Sequence, residues 1–244
     1  MRCGSRRRCG SRCANPTAER PPPVFTAAIF DMDGLLLDSE RVIMQAWMES
    51  AQELALSLSR ADFLQVVGHG IVESHARLST LLGGEDSFQL VRDRVRAKLG
   101  APGGVVFPLK PGALALLQQL RARAVPCAVA SSTSVAEVRR RLAQVGVLEL
   151  FQAVAGGDEV ARSKPDPAVY LLAAERLGVA PECCLAFEDS NHGARAAHAA
   201  GLAVVMVPDL KSHDFGPVYM NLVSLEDAMT HIDQWFSEHA LCLR

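Results

Sequence analysis

Two pairs of acidic residues, one lysine and a run of hydroxyl residues could together handle a phosphate group and a metal ion. Asp31 and Asp33 stand at i and i+2 before Gly34, which permits a sharp turn, so both carboxylates can aim at one point. The second acidic pair, Glu188 and Asp189, is costly to bring together unless a metal ion or a lysine joins it. Carboxylate oxygens are hard ligands, and they suit Mg²⁺ better than zinc.

Hydroxyl groups and the lysine supply the complementary anion-binding chemistry. Residues 131–134 read Ser-Ser-Thr-Ser, and their hydroxyl and backbone N–H groups can hold an anion at the start of a helix. Lys164 begins the string Lys-Pro-Asp-Pro, which opens another predicted helix. Each string also has a plain structural explanation, because acidic loops and hydroxyl residues cap helices and a lysine is usually solvated. Taken singly, none of the strings establishes a site.

The positions of these strings relative to predicted strands strengthen the interpretation that they form a site. Strand-like apolar runs directly precede Asp31, Ser131 and Glu188, at residues 25–30, 127–130 and 184–187. In an open parallel sheet, ligands bind beyond the carboxyl ends of the strands. We therefore expect these acids and hydroxyls to meet at one edge of a sheet, together with Lys164.

The alternation of strands and helices indicates an α/β fold. Further strand-like runs occur at 153–155 and 204–207, with helical spacing between the runs. Gly146, Gly178 and Gly201 each stand just past a predicted helix, where a left-handed residue is least strained as glycine. Because the strands are apolar on both faces, the sequence predicts a Rossmann-like parallel sheet covered by helices on both sides.

The region 39–106 interrupts this alternation. It shows helical patterns without a strand signal, and Pro-Gly-Gly at 102–104 marks a linker before the alternation resumes. We predict an inserted helical cap domain at 39–106. The α/β core domain is then formed by residues 24–38 and 107–244.

Composition narrows the range of partners and locations. The 244 residues carry a net charge of −2, so nothing global favours nucleic acid or anionic membranes. No apolar run reaches the ~18 residues of a membrane span. The seven cysteines show no disulfide framework, so we expect a cytoplasmic protein with neither membrane nor nucleic acid as a partner.

Residues 1–23 differ in character from the rest of the chain. They hold six arginines, three cysteines and a single acid, with almost no apolar residue. Such a segment cannot bury enough surface to fold, so we expect a disordered tail. An organelle transit peptide or extra residues from an upstream start remain open alternatives.

Taken together, the motifs resemble those of a known family. The string Asp-Met-Asp-Gly-Leu-Leu-Leu-Asp-Ser-Glu from residue 31, the serine at 131, Lys-Pro-Asp-Pro from 164 and Phe-Glu-Asp-Ser-Asn-His-Gly from 187 look like the four signatures of the haloacid dehalogenase superfamily. The most similar branch contains β-phosphoglucomutase, phosphoglycolate phosphatase and small sugar-phosphate phosphatases. The resemblance extends over about residues 25–208.

This resemblance implies covalent hydrolysis of a small phosphorylated metabolite, of the sugar phosphate or phosphoglycolate type. Asp31 would attack phosphorus and form an aspartyl phosphate. Asp33 would protonate the leaving oxygen and then activate the water that cleaves the intermediate. Ser131, the amide of Ser132 and Lys164 would hold the transferring phosphoryl group.

The resemblance also implies a Mg²⁺ cofactor held by oxygen atoms. Asp31, the backbone carbonyl of Asp33 and Asp189 would bind the ion, while Glu188 would bind it directly or through water. A carboxylate must approach a dianionic phosphate, and the ion and Lys164 would offset the repulsion. A monomer is the expected state for this architecture.

A phosphomutase of the β-phosphoglucomutase type is the main alternative. In that branch a histidine follows the nucleophile motif, and a Gly-x-Ser-Arg pattern in the cap holds the distal phosphate. The matching positions here are Ile43 and residues 68–71, which read Gly-His-Gly-Ile. Both departures weaken the mutase interpretation. His69 is a candidate for a substrate-specificity contact, and a purely structural role for it is equally open.

Other classes agree less well with the motifs. A dehalogenase needs neither Asp33 nor the second acidic pair, and a cation pump needs membrane helices. A non-enzymatic binding module that kept the fold would be expected to have lost Asp31, Asp33 or Lys164, and all three are present.

Overall fold

A six-stranded parallel sheet forms the centre of the molecule. The structure, a computed structural model, describes residues 25–67, 71–100, 105–212 and 214–236. Its strands are β1 (Ala27–Phe30), β2 (Cys127–Ala130), β3 (Ala153–Ala155), β4 (Cys184–Glu188), β5 (Ala203–Met206) and β6 (Met220–Asn221). They lie in the order β3-β2-β1-β4-β5-β6, and each neighbouring pair is parallel. The predicted Rossmann-like α/β fold is confirmed.

Four helices occupy the segment that follows β1 and its loop, from residue 39 to residue 99. They are α1 (Ser39–Glu53), α2 (Arg60–Leu64), α3 (Ile71–Leu81) and α4 (Glu85–Leu99), and no strand occurs among the described residues of this segment. Their apolar side chains form a cluster of their own, in which Trp47 stacks on Phe88 with ring centroids 5.7 Å apart. We call residues 39–99 the helical insertion.

The remaining helices cover the two faces of the sheet. They are α5 (Ala113–Ala122), α6 (Val135–Gln144), α7 (Ala168–Leu177), α8 (Asn191–Ala199), α9 (Leu225–Ala228) and α10 (Ile232–Trp235). Helices α5, α6, α9 and α10 pack with Ala28 and Phe30 of β1, whereas α7 and α8 pack with Ala27 and Ile29. Successive side chains of a strand point to opposite faces, so a strand that is apolar throughout serves both layers.

Strand β1 positions the site because the chain order of the sheet reverses around it. Its neighbours are β2 on one side and β4 on the other. The ladder continues one residue past β1 and β2, where the amide of Asp31 donates to the carbonyl of Phe187 and that of Ser131 donates to the carbonyl of Ala155. The side chains that follow these strands therefore emerge at a shared edge, at a topological switch point.

The observed strands differ in part from those predicted from the sequence. Strand β1 begins at Ala27 rather than at residue 25, because the amides of Phe25 and Thr26 bond to Trp235 and Cys183 outside the ladder. Strand β6 was not predicted, since two residues carry no alternation. The predicted left-handed glycines are confirmed, with φ values of 72°, 66° and 92° at Gly146, Gly178 and Gly201.

Within the described ranges, none of the helices combines the length and apolar character that a bilayer span requires. Cys127 and Cys184 are buried free thiols. Cys183 is disulfide-bonded, a bond that the spacing of the cysteines did not predict.

Candidate active site

Lys164 joins two of the predicted acids at the carboxyl edge of the sheet. Its Nζ lies 2.5 Å from Asp31 Oδ1 and 2.6 Å from Glu188 Oε1. All three side chains are buried, with exposed fractions of 6%, 10% and 0%. Burial lowers the pKa of Lys164, but Asp31 and Glu188 outweigh this effect and raise it above its ordinary value. The lysine therefore stays protonated as a cation between two carboxylates.

Asp31, Glu188 and Asp189 form an acidic group that fits a divalent cation. Each offers a carboxylate oxygen, and these atoms lie within 4.8 Å of one another. Burial raises the pKa of Asp31 to about 7, against the opposing effect of Lys164, and burial followed by Asp31 raises the pKa of Asp189 well above its ordinary value. Three acids share only one lysine here, and their hard oxygen donors suit Mg²⁺ or a similar ion.

Gly34 allows the turn after Asp33 to approach this acidic group. A Cβ atom at Gly34 would lie 2.2 Å from Asp189 Oδ2, and the residue has φ +83°, in the left-handed region. Any other residue would be strained and would collide with the carboxylate. Gly34 is thus required for two reasons: its backbone is left-handed, and the Asp189 carboxylate approaches it too closely for a side chain.

Glu188 is enclosed by donors and by helix α8. Its Oε1 accepts a hydrogen bond of 2.5 Å from the Tyr170 hydroxyl in addition to that from Lys164. Its Oε2 accepts longer bonds from the amide and hydroxyl of Ser190, at 3.4 and 3.2 Å. A Cβ atom at Gly193 would lie 1.8 Å from Oε1, so only glycine leaves room for the carboxylate. Tyr170 was not singled out from the sequence, where it reads as one apolar position of a helix.

The Asp33 carboxylate accepts hydrogen bonds from residues other than those of the acidic group. Thr133 Oγ1 donates to its Oδ2 over 2.9 Å, and Arg141 Nη1 donates to its Oδ1 over 2.8 Å. The Arg141 guanidinium also lies 4.5 Å from the centre of the Phe107 ring and bonds to Glu137. Asp33 therefore lies at the site with its carboxylate oriented by two residues. The sequence analysis did not identify Arg141, because its position in the middle of α6 carries no local sign of function.

Ser131 and Ser132 lie where the sequence predicted, at the carboxyl end of β2. Ser131 is 1% exposed, and its hydroxyl accepts a hydrogen bond of 3.1 Å from the amide of Thr133. Ser132 is exposed, and its carbonyl lies against Gly157, where a Cβ atom would approach it to 2.2 Å. The loop is thus packed closely and presents one buried and one exposed serine.

A cavity of about 320 Å³ opens beside the acidic group, between the core and the helical insertion. Core residues Asp189, Asn191 and Lys211 line it together with Glu40 and Val67 of the insertion. Burial, followed by the charges of Asp33 and Asp209, raises the pKa of Glu40 to about 7. Glu40 is a further titratable group that the sequence analysis did not select, although it ends the first motif. The candidate specificity residue His69 lies outside the described residues.

The chain is similar to known proteins over most of its length. The family model for haloacid dehalogenase-like hydrolases matches residues 25–201. Protein CbbY of Rhodobacter capsulatus is 36% identical over 216 residues, which cover 84% of this chain and 95% of that protein. The phosphorylated carbohydrates phosphatase of Thermotoga maritima is 32% identical over 176 residues, covering 72% of this chain and 82% of that protein.

Solved structures also resemble the chain. A mutant CbbY from Rhodobacter sphaeroides, in complex with xylulose-(1,5)bisphosphate, superimposes with a TM-score of 0.66 at 27% identity. The match covers 84% of this chain and 96% of that one. The match therefore extends over most of both chains.

Proposed function

Because the chain belongs to the haloacid dehalogenase-like hydrolases, we propose that it is a Mg²⁺-dependent phosphatase of a small phosphorylated sugar. The phosphoric monoester hydrolase activity is supported by relatives that carry phosphatase names, among them the phosphorylated carbohydrates phosphatase. The sugar is proposed by analogy with that relative and with the bisphosphate complex of the CbbY structure.

The observation that carries the proposal is the bridge made by Lys164. A carboxylate nucleophile must come into contact with a dianionic phosphate, and the repulsion between them opposes the reaction. Lys164 contacts Asp31 directly and is held in place by Glu188. The same cation can therefore neutralise the nucleophile and one oxygen of the arriving phosphate, which lowers the barrier by electrostatic stabilisation.

In the proposed reaction, one carboxylate oxygen of Asp31 forms a bond to phosphorus as the bond between phosphorus and the sugar oxygen breaks. Protonated Asp33 gives its proton to that leaving oxygen and becomes a carboxylate. Asp33 then takes a proton from water, whose oxygen attacks phosphorus and displaces Asp31. Inorganic phosphate leaves, and both aspartates return to their starting forms.

We assign the metal to the acidic group and the neighbouring backbone. Asp31, Asp189 and the backbone carbonyl of Asp33 are proposed as ligands, with Glu188 acting directly or through water. When bound, Mg²⁺ supplies positive charge that offsets the charge of the phosphate and of the carboxylates. Ser131 and the amide of Ser132 are proposed to hold the remaining phosphoryl oxygens, at the edge where they follow β2.

The helical insertion is proposed to act as a cap that selects the leaving group. It contributes Glu40 and Val67 to the cavity next to the acidic group. Its first helix is tied to the core because Asp209, in the loop after β5, accepts a hydrogen bond of 2.7 Å from Arg41 and pairs with Lys110. Helical caps of this kind exclude water and complete the site when they close. His69 remains our candidate for a specificity contact.

The phosphomutase alternative receives less support from the residues present. Ile43, at the position that a mutase fills with histidine, packs against the apolar clusters of the core and the helical insertion. Such a side chain cannot control proton transfer.

A monomer in the cytoplasm, with no nucleic acid or membrane partner, remains the expectation from the sequence.

Phosphate release from a panel of phosphorylated metabolites tests the proposal. Sugar phosphates, phosphoglycolate and nucleotides would be compared with Mg²⁺ and with EDTA. We expect metal-dependent release concentrated on one or two sugar phosphates. Isomerisation of a sugar phosphate without release would instead establish the mutase, and full release in EDTA would exclude the metal.

A further inference from the structure

Tyr170 is a fully buried residue that touches two members of the site without belonging to any predicted motif. It lies in α7 with no exposed surface. Its hydroxyl donates to Glu188 Oε1 over 2.5 Å. Burial, followed by the charge of Glu188, raises the pKa of Tyr170 well above its ordinary value, so the hydroxyl stays protonated and remains a donor at neutral pH.

The ring of Tyr170 also contacts the lysine of the site. Lys164 Nζ lies 4.8 Å from the ring centre and 3.4 Å from the hydroxyl oxygen. A cation over an aromatic face is attracted by the ring, most strongly when both are removed from water. The one side chain therefore contacts both partners of the Lys164–Glu188 ion pair.

We propose that Tyr170 is a positioning residue whose hydroxyl sets the orientation of Glu188 and thereby the affinity of the acidic group for a divalent cation. This inference rests on the proposed metal site. Glu188 has no exposed surface, so its Oε1, on losing one of its two donors, could not turn to water. Oε1 of Glu188 would instead draw Lys164 closer to itself and away from Asp31. The carboxylates of Glu188 and Asp31 would then both move relative to Asp189.

The chain supplies a matched control for this idea. It contains two tyrosines, and the other is Tyr219. The Tyr219 ring packs edge-on against Phe25, with centroids 5.4 Å apart, and Tyr219 directly precedes β6, at the far end of the sheet order from β3. Tyr170→Phe and Tyr219→Phe each remove one phenolic hydroxyl and keep the ring, so they differ only in the place where the hydroxyl is lost.

Calorimetric titration of the full-length protein with Mg²⁺ alone measures the effect. We expect the dissociation constant to rise about tenfold in Tyr170→Phe, since loss of a group that orients a metal ligand typically costs 10- to 100-fold. Tyr219→Phe should bind within about twofold of the wild type. Equal affinity of all three proteins would overturn the inference, whereas a wild type that binds no Mg²⁺ would overturn the proposed function instead.

A spectroscopic measurement keeps the test informative if Tyr170→Phe folds poorly. In Tyr219→Phe the only tyrosine is Tyr170, so the tyrosine absorption difference on adding Mg²⁺ reports its hydroxyl directly. We expect saturation of this signal at the same Mg²⁺ concentration as in calorimetry. Heat of binding without any tyrosine signal would show that the metal does not act on the Tyr170–Glu188 bond, and the inference would be wrong.

Discussion

Arg141 Nη1 and Asp33 Oδ1 lie 2.8 Å apart, although 108 residues separate them in the chain. With Thr133 on the other carboxylate oxygen, this contact fixes the orientation of the residue to which we assign proton transfer. Phe107 lies beneath the guanidinium, in the stretch that leads from the helical insertion back to the core. The proposed acid is thus oriented by the core helix α6 and by a connection to the insertion.

We expect Arg141→Gln to lower kcat/KM for a sugar phosphate by about tenfold. Proton transfer by a positioned acid contributes about 10²- to 10⁴-fold to the reaction rate, and a mispositioned Asp33 would lose part of this acceleration. The loss should be smaller with p-nitrophenyl phosphate, whose leaving group needs little protonation. Measuring kcat/KM isolates the first chemical step, since later hydrolysis of the aspartyl phosphate does not enter it.

Arg140→Gln is the matched control for this prediction. Arg140 lies in the same helix and pairs with the same Glu137, at 2.6 Å, but no bond joins it to Asp33. It should keep the wild-type rate on both substrates. An equal loss on both substrates in Arg141→Gln would mean that the residue only stabilises α6.

The acidic group should make the metal-free protein less stable as pH rises. The folded-state pKa of Asp31, about 7, exceeds its model-peptide value of 3.8, and that of Asp189 is also raised. Between these limits the folded state binds more protons than the unfolded state, so the free energy of unfolding falls as pH increases. The thermal midpoint in EDTA should therefore drop between about pH 4 and pH 7, and Mg²⁺ should restore it.

Asp189→Asn separates the two effects of this carboxylate. At pH 8 in EDTA we expect the variant to have a higher thermal midpoint than the wild type, because one buried charge is gone. Added Mg²⁺ should raise the midpoint of the wild type by mass action and leave that of the variant nearly unchanged. A variant that is less stable than the wild type in EDTA and still responds to Mg²⁺ would contradict the assignment of Asp189 to the metal site.

Gly193 should be indispensable for a reason of space rather than of backbone conformation. It lies in helix α8, where alanine is otherwise favoured, but its Cβ would meet Glu188 Oε1 at 1.8 Å. We expect Gly193→Ala to displace Glu188 and to reduce phosphate release by more than tenfold. Gly216→Ala, where nothing lies within 4 Å of the added carbon, should retain full activity. Full activity in both variants would show that Glu188 can move without consequence.

The sheet and the motif residues were accessible to prediction because each is encoded locally. Apolar runs of strand length, each ended by a polar string, predicted β1 to β5 to within two residues at their ends. The rule that ligands bind beyond the carboxyl ends of parallel strands then brought Asp31, Ser131 and Glu188 to one edge. Strand β6 was missed because its two residues have no period to detect.

The supporting residues of the site could not be predicted in the same way. Arg141 and Tyr170 lie inside helices, and a helical sequence shows which face is apolar but not which distant side chain a polar group will meet. The sequence pattern indicates that Tyr170 is a core residue, and the residue is indeed buried. Its hydroxyl nevertheless donates a hydrogen bond to Glu188, which the pattern does not show. The burial that raises the pKa of Glu40 to about 7 also depends on the packing of the whole molecule.

The central claim is that Asp31 is the nucleophile, and phosphate release by Asp31→Asn tests it most directly. The wild type, Asp31→Asn and the control Asp93→Asn, whose side chain is 68% exposed in the helical insertion, would be assayed with Mg²⁺ on the best sugar phosphate. We predict that Asp31→Asn loses at least about 10³-fold in kcat, as expected for removal of a nucleophile, while Asp93→Asn matches the wild type. Undiminished phosphate release by Asp31→Asn would contradict the covalent mechanism.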